Sequence, residues 1–224
     1  MRIHAITPIH IDDTELQRRR ARYRQLSPPE ITVTLENLPG TSEVPRQLAT
    51  PEDIAASDAA VAAALGALDP DEVDAGLPDC VLDPGLLDRS TIAVRTYGIT
   101  ELAAGFAAAL GSPFTAVARN RAIAGELDAV ISRYGYRGFE PTRILDLSFE
   151  AIADHAVWND AVTALTTQLA DTPVRRVLNG CSAVDVRDDG SGVAVFDPTQ
   201  LALDTLGLAV RRGLVATVGG RVRV

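Results

Sequence analysis

The chain has 224 residues, 46% hydrophobic and 23% charged, a balance that supports a buried core and excludes extensive disorder. Its formal charge of −9 argues against non-specific binding to nucleic acid, which needs a positive surface, and more easily accommodates a small-molecule substrate or a protein partner. All 21 basic residues are arginine, which excludes a lysine Schiff base and a Walker-type phosphate loop.

His4, His10 and His155 lack HExxH or HxH spacing, and no GxGxxG follows a strand, so neither a metal nor a dinucleotide cofactor is expected. No apolar run approaches the roughly 20 residues that span a bilayer. MRIHAITP opens the chain as a strand rather than a signal peptide, so no membrane association and a cytoplasmic location with reduced thiols are expected.

In chain order, residues 1–8 read as a buried strand and IDDTELQRRRARYRQL as a helix, with Asp12 and Glu15 at capping-box spacing. The run Arg18, Arg19, Arg20 and Arg22 reads as a solvated helix face rather than an anion site. ITVTLENLPG alternates like a strand and ends in a Pro-Gly turn. TPEDIAASDAAVAAALGAL reads as a helix with Thr50 as N-cap before Pro51. Asp69, Asp71, Glu72 and Asp74 crowd a turn beside Pro70 and read as solvated charge, and LPDCVLDPG then delivers Cys80.

The second half repeats this order. PFTAVARN (113–120) reads as a strand, AIAGELDAVISRYG as a helix ending at Gly135, and FEAIADHAVWNDAVTALTTQLA as one long helix. PVRRVLNG is a strand that delivers Cys181, and a last helix follows Asp197 and Pro198, packing back on the first half. The repetition predicts an α/β fold of two similar lobes, each a parallel sheet flanked by helices: 1–92 plus 198–224, and 93–197. Parallel sheets bind ligands beyond the carboxyl ends of their strands, so the active site is expected in the interlobe cleft.

A free cysteine is most often a small buried hydrophobe, a disulfide is disfavoured in a reducing compartment, and two thiols without clustered histidines make a poor zinc site. Cys80 and Cys181, however, each follow an apolar strand and precede a turn or helix start. Unpaired backbone N–H groups at a helix start favour thiolate, which makes a reagent of a thiol.

Three segments, ITP in the first strand, DCVLDPGL at 79–86 and VLNGCSA at 177–183, resemble the hydantoin racemase branch of the aspartate/glutamate racemase superfamily. In that branch the cysteines lie in C-x-x-D-P-G-L and V-L-G-C-A-G contexts. The resemblance implies an aspartate/glutamate racemase-like isomerase that inverts a hydantoin or amino-acid-like substrate without cofactor or metal. One cysteine thiolate removes the proton next to a carbonyl while the other thiol protonates the opposite face. By motif position Cys80 and Cys181 take these roles. The N–H groups around Val81 and Ser182, with the Ser182 hydroxyl, are the expected donors to the enolate. Relatives that use a thiolate for cis–trans isomerisation or decarboxylation, and a relative that only binds a ligand, are the alternatives.

The chain also departs from the pattern. Thr7-Pro8-Ile9-His10 stands where Asn-Pro-Asn is usual, Ala118-Arg119 where a Thr-Thr pair is expected, and Arg95 and Tyr97 where a glycine-rich turn and a glutamate occur. Thr7, Pro8, His10, Arg95 and Arg119 are therefore expected on the substrate wall, the arginines as forks for a carboxylate or else as ion-pair partners. His10 either meets substrate and tunes Cys80 or caps the following helix. His4 is expected in the core, and His155 in packing or at the surface. A homo-oligomer is compatible with this reading.

Overall fold

The computed structural model describes residues 1–152, 154–187, 190–215 and 217. The chain divides into two units, Met1–Ile99 with the described residues from Thr199 onward, and Thr100–Pro198.

In the first unit β1 (Arg2–Ile6), β2 (Thr32–Glu36) and β3 (Ala75–Pro78) form a parallel sheet in the order β2-β1-β3. The central strand buries Ile3, Ala5 and Ile6, whereas β2 exposes alternate residues, as an edge strand does. A further parallel segment flanks β3: Gly76 N–H donates to Arg95 O at 2.9 Å and Tyr97 N–H to Gly76 O at 3.1 Å. Helices α1 (Asp13–Leu26) and α2 (Pro51–Gly66) make the crossovers. Ile6, Val61 and Leu65 meet in one apolar cluster with Leu38, Val44 and Leu86.

Local signals set both helix starts, with one difference from expectation. Thr50 and Asp53 exchange side-chain and backbone bonds in a complete capping box around Pro51. Asp12 accepts from Glu15 N–H at 2.8 Å, but the Glu15 carboxylate turns away to Arg18 and Arg19, so only half of that box forms. The arginine run is also not the solvated face that its composition suggests. Arg19 and Arg22 are buried, and Arg20 donates to Leu35 O at 2.9 Å. His4 is half-buried rather than core: its Nε2 lies 2.8 Å from Glu36 on the neighbouring strand.

In the second unit α3 (Ile99–Ala109) leads into a parallel sheet in the order β5-β4-β6-β7, made of β4 (Phe114–Ala118), β5 (Arg143–Ile144), β6 (Arg176–Asn179) and β7 (Ala194–Phe196). All five residues of β4 are buried, as expected for an inner parallel strand covered on both faces. Helix α4 (Arg121–Tyr134) is capped by Asn120 and ends at Gly135, whose φ of 71° is the left-handed C-cap geometry that glycine adopts without strain. The long helix expected from Phe149 is shorter. A single 3-10 turn at Glu150–Ile152 precedes α5 (His155–Leu169), which starts where Asp154 accepts from Ala156 and Val157 N–H. Trp158 of α5 is fully buried among Val117, Val162, Val174 and Val177. The last helix, α6 (Pro198–Arg211), meets the first unit, where Arg211 pairs with Glu30 at 2.9 Å. Among the described residues no helix is long and apolar enough to cross a membrane.

Candidate active site

Each unit carries its cysteine at the same kind of place. Cys80 lies just past the carboxyl end of β3, which is flanked by β1 and by Arg95–Tyr97; Cys181 lies just past β6, flanked by β4 and β7. Cys80 is buried with 6% exposure, and Cys181 is half-buried.

The residues after Cys80 explain the C-x-x-D-P-G-L spacing. Asp83 N–H donates back to Cys80 O at 3.2 Å, and Asp83 itself takes a left-handed φ of 47°. Gly85 has φ 75° and lies so close to α2 that a Cβ there would come within 2.7 Å of Ala62 N. Its N–H donates to Asp58 of α2 at 2.8 Å. The sequence D-P-G thus makes a rigid corner that only a glycine permits at its tip. No helix starts directly after either cysteine, so the expected helix-dipole contribution is absent. The Leu82 amide donates to the Cys80 sulfur at 3.5 Å.

Behind Cys80 lies a charged cluster that sequence reasoning missed. The buried Asp79 carboxylate accepts from Arg19 Nη1 at 2.9 Å and from the Tyr23 hydroxyl at 2.8 Å. Burial pushes the Asp79 carboxyl above its ordinary range, while Arg19 and the Tyr23 hydrogen bond pull it down. Tyr23 is pushed well above its ordinary value, first by burial and then by the Asp79 charge.

The Cys181 turn is held by Asn179, also missed. Its Nδ2 donates to Cys181 O at 2.9 Å and to Val184 O at 3.0 Å, and its Oδ1 accepts from the Trp158 indole at 3.1 Å. Gly180 passes against Val117 O so closely that any Cβ would overlap it. Strands β4 and β6 pair Val117 with Asn179, so Arg119 and Cys181 each lie two residues past the last paired positions of neighbouring strands. The Arg119 guanidinium is buried, lies 5.6 Å from the Phe149 ring centroid, and interacts electrostatically with Cys181 and Glu150. Burial pushes its pKa below the ordinary arginine value, and those two groups oppose the shift. Ser182, which follows Cys181 directly, is buried.

The other expected wall residues divide. Thr7 is fully buried and its hydroxyl is engaged within the scaffold, donating to Asn37 Oδ1 at 3.1 Å and accepting from Leu38 N–H at 3.0 Å. Pro8 is buried, with its carbonyl accepting from Ser57 at 2.6 Å. His10 is half-buried and its Nδ1 donates to Leu38 O at 2.8 Å. Arg95 is exposed on the flanking segment, with Nη1 3.5 Å from the Tyr97 hydroxyl. Among the described residues no group of three or more His, Cys, Asp or Glu is arranged to hold a metal.

The sequence matches no protein-family model and no curated protein. Solved structures do match. Allantoin racemase from Pseudomonas fluorescens superposes with a TM-score of 0.79 at 18% identity, over 96% of this chain and 93% of that one. Allantoin racemase from Klebsiella pneumoniae gives 0.75 at 19% identity, over 96% and 89%. Maleate isomerase from Pseudomonas putida gives 0.64 at 16% identity, over 94% and 93%. The strand order, the two parallel sheets and their helices are therefore those of the allantoin racemase fold.

Proposed function

We propose that this protein is a cofactor-independent racemase or epimerase that inverts a carbon next to a carbonyl in a hydantoin-like or amino-acid-like substrate. The observation that carries the reading is the matched placement of Cys80 and Cys181, each in a tight turn past the carboxyl end of a strand flanked on both sides. Similarity in fold to allantoin racemases supports it.

In the proposed reaction one thiolate takes the proton from the substrate carbon. The C–H electron pair moves to the carbonyl oxygen as an enolate, and a new S–H bond forms. The second cysteine delivers its S–H proton to the opposite face, re-forming C–H with inverted configuration and leaving a thiolate. A thiol suits both tasks because its ordinary pKa of about 8.5 lies near neutrality, so the same group serves as base in one direction and acid in the other. Buried donors stabilise the enolate, with the backbone N–H groups around Val81 and Ser182 and the Ser182 hydroxyl as candidates in the two turns. Arg119 supplies a cation next to Cys181, which favours its thiolate and would accept a substrate carboxylate.

Cys80→Ser and Cys181→Ser should each abolish inversion of a ring-substituted hydantoin, followed by chiral chromatography, with far-ultraviolet circular dichroism unchanged. Full activity in both variants would reject the proposal. A second reading keeps the thiolate but adds it to a double bond for cis–trans isomerisation. Arg119 favours it, since a buried guanidinium beside a thiolate fits a dicarboxylate, and the maleate isomerase shares the fold. A covalent cysteine adduct with maleate, detected by mass spectrometry, distinguishes it from proton transfer.

A further inference from the structure

The Arg19–Asp79–Tyr23 cluster is buried, charged and directly attached to Cys80, yet proton transfer as described makes no use of it. A buried ion pair contributes little to stability over apolar residues of equal volume. The fold nevertheless spans sixty positions of sequence to join Arg19 with Asp79, the residue immediately before Cys80. Both Asp79 carboxylate oxygens are engaged, and its N–H donates to Ile6 O at 2.8 Å, so side chain and backbone are fixed together. Arg19 is fixed in turn by Glu15 at 2.7 Å, and Glu15 by Arg18 at 2.6 Å.

We propose that Arg19, Asp79 and Tyr23 are positioning residues for Cys80, holding its turn and balancing the charge of the residue immediately before it so that the thiolate forms. The proposal rests on Cys80 being the reactive thiol of its unit. An uncompensated carboxylate on the adjacent residue opposes ionisation of the sulfur, and an uncompensated guanidinium favours it. With both present the local charge is near balance, and the Cys80 turn is held from Asp79 on one side and by the Leu82 N–H bond to its sulfur on the other. Arg22, also buried on α1, faces Asp79 as a second cation. Other ionisable groups around the turn are engaged elsewhere: Asp58 of α2 accepts from Gly85, Arg89 donates to Leu86 O at 3.3 Å, the Asp83 carboxylate lies against Gly98, and His10 donates to Leu38.

The test titrates Cys80 directly, by the Cβ resonance of isotope-labelled cysteine in the full-length Cys181→Ser protein, where Cys80 is the one thiol present. Asp79→Asn should lower the Cys80 midpoint and Arg19→Gln should raise it, each by about one pH unit. Tyr23→Phe, which deletes one hydrogen bond at nearly constant volume, should raise it by about half a unit and serves where a charge variant does not fold. Opposite signs in the two charge variants support the proposal, since a merely structural role moves both alike or neither. Shifts of the same sign, or an unmoved midpoint in Tyr23→Phe, overturn it. No substrate is needed, so the result stands apart from the racemase reading: loss of inversion in Cys80→Ser with no midpoint shift in these variants rejects only the positioning role.

Discussion

At Arg119 a guanidinium with 6% exposure lies one step beyond β4, next to the sulfur-bearing turn of β6. Its replacement should separate substrates by charge. Arg119→Ala is expected to lower kcat/KM about tenfold or more for a hydantoin whose substituent carries a carboxylate, consistent with losing a charged hydrogen bond. The same variant should change turnover of a neutral alkyl hydantoin far less; an equal loss on both substrates would contradict a carboxylate-binding role. Glu15 is the residue whose ionisation bears on stability. Burial raises its pKa, but the Arg18 hydrogen bond and the Arg19 charge outweigh it, so the folded value lies below the ordinary carboxylate range. A depressed folded pKa stabilises above the unfolded value, and the contribution is lost as pH falls through the folded one. Glu15→Gln should therefore reduce the drop in Tm between about pH 6 and about pH 3, measured by thermal melts. An unchanged drop would show that Glu15 makes no such contribution.

Among the elements, those with local signals were legible in the sequence. Thr50-Pro51 announces the start of α2, Gly135 marks the end of α4, and D-P-G marks the corner after Cys80 because its geometry is local. Elements defined by remote pairing were not. β5 has two residues and exists through its pairing with β4, and β7 is a three-residue strand recruited by β6. α3 carries few polar residues, and its ITELAAGFAAA contains no strong start signal. The α1 arginines were misread for the same reason: Asp79, the partner of Arg19, lies far along the chain, so composition alone describes a solvated face. The corner itself is testable. Gly85→Ala places a Cβ against the α2 backbone at a positive φ, and should cost about 1–3 kcal/mol by urea unfolding. A loss within experimental error would show that α2 and the corner adjust freely.

For the whole molecule, the fold of allantoin racemases is reached at 18% identity, and in this chain each parallel sheet carries a cysteine just past a strand end. The short motif around Cys80 was a sound guide to the fold because it encodes a corner that the fold needs. The expected substrate wall was less legible. Thr7 and Pro8 hold the scaffold, Arg95 stays exposed, and Arg119 is next to a thiol, and each outcome depends on neighbours distant in sequence. The central claim is that two different cysteines handle one proton site from opposite faces. The most direct test follows solvent deuterium into a single enantiomer of a ring-substituted hydantoin in D2O, at early conversion. The account predicts deuterium in the inverted product while remaining substrate stays protiated, and loss of inversion by about a thousandfold in Cys80→Ser and in Cys181→Ser. Protium carried over into the product, or inversion at full rate in both variants, would contradict it.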